Sequence, residues 1–281
     1  MSIEFEWRLQ DELLPESSEP AAPTPGRWRR MARAAVALGL ILALLGVGWH
    51  ISRERNAQTE LQVEALARLE LEAITARDHE LFLSLQDPAT PTWLATQDAL
   101  FWEGQILPPP LPGLAAVTDA TVGSGRVVGD RARVELLRTA GPPSSPSGAF
   151  RVARFYRRDA GGRWLHTQLD PAYAGHVMVW VGDHVEITGY AADAVTIAPA
   201  AADLERVAAG LCVHVACRTA LPVHLVFTGT LDVDVTGSVL PAPLLVGVPV
   251  DQRAQEIWQA ALRDIFLEKL LDPASPSQIG Q

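Results

Sequence analysis

Lysine is almost missing from this chain: it occurs once in 281 residues, at Lys269, against 33 acidic residues. Arginine carries the rest of the positive charge, and the net charge is −10. Such a surface repels nucleic acid, and no basic stripe offsets it, so no nucleic-acid partner is expected. The choice of arginine over lysine reads as genome composition, since either keeps a surface soluble. Cysteine is nearly as scarce. Cys212 and Cys217 are too few for a disulfide scaffold. They fit one bridge in an oxidising compartment or two buried small apolar residues, and the buried reading is preferred. Sequences for common chemistries are absent as well: no G-x-S-x-G, no Walker loop and no dinucleotide fingerprint. SGRVVGD has glycines but opens no helix. No internal repeat is apparent. No catalytic, cofactor-binding or metal residue is therefore assigned.

Apolar residues, by contrast, are plentiful at 48%, with 20% charged, which allows a packed core. Domains usually run about 100–200 residues, so one or two are expected. From Ala34 the chain reads AAVALGLILALLGVGWHI, uncharged until Arg53. As a helix this stretch rises about 27 Å, close to the hydrocarbon thickness of a bilayer. Trp49 and His50 suit the far interface. A cleaved signal peptide would have its charges at the very start and a shorter core. The reading is an uncleaved transmembrane helix within residues 31–51, in contact with the lipid bilayer through 34–51. Arg27, Arg29, Arg30 and Arg33 precede it, while only Arg53 and Arg55 follow closely. This asymmetry makes the N-terminus cytoplasmic and the rest extracytoplasmic, in a cell membrane.

Residues 1–30 form an acidic tail whose EPAAPTPG part builds no core. The start, EFEWRLQDELL, mixes apolar and acidic residues. It reads as a disordered tail, or as a short motif folding on a cytoplasmic partner.

Residues 52–175 begin with helical spacing over 54–86, with Leu66, Leu69, Ala73 and Ala76 on one face. A second helix over 91–104 carries Trp93, Leu94, Leu100, Phe101 and Trp102. PPPLPG is a rigid linker. The period then falls to two, and AAVTDATVGSGRVVG, RARVELLRT, AFRVARFYRRD and RWLHTQL read as four strands. Helices followed by an antiparallel meander make an α+β class. The opening helix with RDHELFLSLQD, the aromatic second helix and FRVARFYRRDAGGRWLHTQ resemble the nuclear transport factor 2-like (SnoaL-like) family. That resemblance implies a cone that can hold a small ligand, with a His–Asp pair in members that are enzymes. Asp78 and His79 are adjacent on a helix and point about 100° apart, so they read as surface residues. His166 on its strand could face the cone interior, where a satisfied structural role is expected.

Residues 176–272 read as a small α/β domain: a strand at HVEITGY, a helix over 192–216 opening near Pro199, strands at PVHLVFTG and LDVDVTG, and a helix over 250–271. In the last helix Trp258, Leu262, Phe266 and Leu270 recur beside Ile257, Ala261 and Ile265, a wide core-facing stripe. The order resembles the start of gluzincin (peptidase MA-like) metallopeptidases. A zinc helix there needs H-E-x-x-H. QEIWQAALRDIFLEKLL has no histidine, and Glu256 and Glu268 cannot hold zinc alone, so the resemblance implies a truncated, non-catalytic relative. Cys212, His214, Cys217 and His224 are zinc ligand types in a spacing that matches no common site. Residues 273–281 close the chain as a disordered end.

Three functions follow. The first is a non-catalytic, membrane-anchored extracytoplasmic protein that binds a protein partner or small ligand. The second is an anti-sigma-like regulator acting through the tail. The third is a cone-fold enzyme or remnant metallopeptidase. No cofactor is expected.

Overall fold

In the computed structural model of this chain, residues 25–143, 145–214, 222–231 and 238–271 are described. Contacts divide the chain into two units, Met1–Glu54 and Arg55–Gln281. The first helix, α1 (Pro25–Ala76), runs for 52 residues. In the first unit its apolar side chains, Val36, Leu44 and Trp49 among them, are exposed.

Among the described residues no helix is long and apolar enough to cross a membrane. The transmembrane helix expected within 31–51 is corrected accordingly.

In the second unit α1 buries Val63, Ala67, Glu70 and Ala73, three or four residues apart. This row overlaps the expected one at Ala73, with Leu66 half-buried beside it, but Leu69 and Ala76 are exposed and Ala67 and Glu70 point inward instead. The expected helix over 54–86 breaks at Arg77, whose φ of 55° is left-handed. Side chains are disfavoured there because Cβ meets the following carbonyl. The chain resumes as α2 (His79–Ser84), where the Asp78 carboxylate accepts the Leu81 N–H at 3.0 Å. α3 (Pro91–Glu103) opens with proline at its first turn, where no N–H is needed, and stops at Gly104.

Four strands follow: β1 (Ala115–Val128), β2 (Arg131–Gly141), β3 (Gly148–Arg158) and β4 (Trp164–Thr167). They form an antiparallel meander, as the alternation predicts. α4 (Pro171–Ala174) leads to β5 (Val177–Val181), which pairs antiparallel with β6 (Val185–Tyr190). β5, VMVWV, was missing from the sequence reading; its Val177, Val179 and Val181 are exposed, so it shows no polar alternation. A 3-10 turn (Ala191–Asp193) enters α5 (Ala194–Cys212). Pro199 lies inside α5 rather than at its opening. β7 (Val223–Thr228) and β8 (Val239–Pro241) then join β6 in parallel. Most of the strand expected at LDVDVTG falls outside the described residues.

α6 (Pro243–Val246) is followed by β9 (Val248–Pro249), which pairs not with the second sheet but with β3, at Phe150 and Arg151. β3 thus carries β4 along its second half and β9 along its first. α7 (Gln252–Leu271) closes the fold. Asp251 caps it, taking the Ala254 N–H at 2.6 Å and the Ala149 N–H of β3 at 3.0 Å. Gly148 makes this approach possible, since a Cβ there would lie 2.5 Å from the Ala254 backbone. The class is α+β. The largest core joins Ile187, Leu225 and Phe227 of the second sheet to α5 and α7 (Leu204, Trp258, Leu262, Phe266), and also takes in Ala140 and Phe150 of the first sheet. A second core packs α1 on the first sheet, through Val63, Ala67, Val134, Val152 and Tyr156.

Candidate functional site

The concentrated polar chemistry of the molecule lies under α1, against β3 and β4. The register places Tyr156 directly opposite His166, and Arg154 two residues back shares their face. The segment after α2 is laced to β4 by two bonds, His166 N–H to the Leu85 carbonyl and Asp87 N–H to the His166 carbonyl, both 2.8 Å. Glu70 comes down onto this patch from α1. Glu70, Gln86, Arg154 and His166 are buried, and Tyr156 is buried with them.

Glu70 is the hub. His166 Nδ1 lies 2.8 Å from Oε1, Tyr156 Oη donates to Oε2 at 3.0 Å, and Gln86 Nε2 donates to Oε1 at 3.4 Å. Burial alone would raise the carboxyl. His166, by charge and hydrogen bond, then Arg154 and the Tyr156 hydroxyl, outweigh burial and hold it down at about 2. Burial lowers the His166 imidazole; Glu70 opposes that and Arg154 adds to it, so the ring stays neutral at neutral pH. Burial and the Glu70 charge push Tyr156 well up, which keeps it a donor. Arg154 donates to the Ile106 carbonyl at 2.8 Å and faces His166 Nε2 at 3.5 Å. A carboxylate, a guanidinium, a neutral ring and a phenol are thereby satisfied largely by one another.

A carboxylate holding one imidazole nitrogen is also the arrangement of a general base. Catalysis requires the other nitrogen to reach a substrate. Here that nitrogen faces Arg154, and Trp93 stands edge-on to the ring at 5.1 Å. The cavity bounded by Trp93, Ile106, Arg154, His166, Thr167 and Leu245 is about 20 Å³. That is room for about one water molecule. Trp93 Nε1 and both amide atoms of Gln97, one turn further along α3, are buried without a hydrogen-bond partner among the described residues.

The remaining candidates are dispersed. Asp78 and His79 do not meet: Asp78 caps α2, while His79 Nε2 contacts Asp98 Oδ1 at 2.6 Å, where Trp102 Nε1 also donates at 3.1 Å. Cys212 is disulfide-bonded and half-buried, which corrects the preference for a buried free cysteine; Cys217 lies outside the described residues. His214 is exposed, and His224 Nε2 sits between Thr188 Oγ1 at 3.3 Å and Glu186 Oε1 at 3.4 Å. No group of three or more potential metal ligands occurs among the described residues. Glu256 and Glu268 stand exposed on α7.

Besides Glu70, Asp87 and Arg154, the buried charges Arg138 and Asp193 escaped the sequence reading. Arg138 donates to the carbonyls of Leu107, Pro108 and Val246, joining β2 to the linker and to the end of α6. Burial, then Arg154, lowers it to about 10, still charged at neutral pH. Asp193 is fully buried; one oxygen accepts the Leu244 N–H at 2.8 Å and the other has no partner among the described residues. Burial raises it to about 6, against the Leu244 bond and Arg133. Glu70 stands between Ala67 and Ala73 on the buried face of α1, but hydrophobic spacing alone assigns an acid to the surface, so the sequence reading passed over it.

No known family's sequence model matches this chain, and no curated protein does. A solved NTF2-like protein of unknown function from Pseudomonas putida KT2440 is similar over 39% of this chain and 82% of its own, with 17% identity and a TM-score of 0.29.

Proposed function

We propose that this protein is a non-catalytic binding protein, in which the sheet-and-helix cone is a structural hub and partner recognition takes place on the outer surface. The observation that carries this reading is the closure around His166. The one carboxylate–imidazole pair that is fully buried is matched internally and opens onto space for about one water. A base that touches no substrate has no proton to take. Burying a carboxylate is costly and is tolerated when donors surround it, and the Tyr156 and Gln86 donors to Glu70 suit a device that fixes one packing of α1 on the sheet.

The test is affinity capture from native extract with the full chain and with Glu70→Gln and His166→Gln variants that retain cooperative unfolding. A specific protein recovered equally by all three is the expected result. Loss of that protein from a folded His166→Gln variant, or recovery of no specific protein, overturns the reading.

A further inference from the structure

Along α7 runs a groove of about 620 Å³, walled on its far side by Pro112, Leu114 and Pro142. That volume is within the usual range of binding clefts, about 300–1,000 Å³. Its floor is the row Ile257, Ala261 and Ile265, and its rim is a second row four residues apart: Glu256, Ala260, Asp264 and Glu268. Residues four apart share one face of a helix, so the acids form a rail beside an apolar floor. Ala260 keeps the rail low in its middle.

Arg253 is the one cation of the lining, and it lies 3.6 Å from Glu256, which also accepts from Gln252 at 3.1 Å. Asp264 and Glu268 make no ion pair among the described residues. The groove therefore presents a thin apolar strip, since Ile257, Ala261 and Ile265 are only 5–9% exposed and otherwise packed in the core, beside two negative charges without an ion pair among the described residues. From Arg253 to Glu268 it is about 22 Å long, the length of a four-turn helix.

We propose that this groove docks a basic amphipathic helix of a partner protein. Arginine or lysine side chains of the partner pair with Asp264 and Glu268, and its apolar row lies over Ile257, Ala261 and Ile265. The proposal rests on the binding reading above and names its site and partner class.

The test uses the full chain and fluorescence anisotropy with three synthetic 15-residue helical peptides. All carry one leucine–alanine face; the opposite face is arginine, glutamine or glutamate. The arginine peptide should bind saturably, at least tenfold tighter than the glutamine peptide, and should weaken as salt rises and screens the pairs. The double variant Asp264→Lys, Glu268→Lys should weaken it about tenfold. Glu72→Lys with Glu103→Lys changes net charge equally at exposed sites elsewhere and should not. Equal loss in both double variants reduces the effect to net charge and overturns the proposal. Equal binding of the arginine and glutamine peptides overturns the charge requirement while leaving the binding reading in place. Failure of all three peptides beside successful capture of a partner removes the groove alone.

Discussion

At the residue scale the account turns on Glu70 and Asp193, two buried acids shifted in opposite directions. Glu70 has a folded value near 2 against an ordinary 4.5. Its contribution is fully present above about pH 4.5 and is lost as pH falls towards 2. It amounts to something on the order of 3 kcal/mol. Glu70→Gln removes the partner of a buried guanidinium and imidazole, so urea unfolding at pH 7 should show a loss of about 3–5 kcal/mol. Asp193 has a folded value near 6 against 3.8. Its ionised form is the one burial disfavours, so stability is lost as pH rises from about 4 through 6. Asp193→Asn keeps an oxygen for the Leu244 N–H and removes the charge. It should raise stability at pH 7 by about 1–3 kcal/mol and leave pH 4 nearly unchanged.

At the scale of elements, the break between α1 and α2 and the approach of β3 to α7 are the informative places. Arg77 is the one non-glycine residue with positive φ among the described residues. Arg77→Gly should raise the melting temperature, by a gain of about 1 kcal/mol. Gly148→Ala should do the reverse and cost about 1–3 kcal/mol, because its Cβ meets backbone rather than a side chain that can turn away. Periodicity in the sequence was enough for the four-strand meander, α3 and α7, whose apolar residues repeat at strand or helix spacing over long stretches. It did not reveal the stop at Arg77, since nothing in TARDHE announces a left-handed residue. It also missed β5, whose five residues are apolar throughout, and of the expected face of α1 it placed Ala73 correctly but put Leu69 and Ala76 where Ala67 and Glu70 are buried. That face contains Glu70, and hydrophobic pattern alone assigns an acid to the surface.

At the scale of the whole molecule, pairing that is distant in sequence joins the parts. β9 on β3 and Arg138 on the Val246 carbonyl are separated by about a hundred residues, and neither leaves a local signature. The buried site was invisible for the same reason, being built from Glu70, Gln86, Tyr156 and His166 on three separate stretches of chain. The two shifted acids together predict a stability optimum of the intact chain near pH 4 to 4.5, with Glu70 losing its contribution below it and Asp193 above it, readable as the pH dependence of its thermal midpoint. The central proposal, that the Glu70–His166 cluster is structural rather than a working site, meets its most direct test in a histidine-resolved NMR titration of the full chain. The expected result is a His166 midpoint below the ordinary 6.5, because burial and Arg154 disfavour the charged ring. A titration midpoint at or above 6.5 would mean a ring that exchanges protons with solvent where a general base works, and would contradict it.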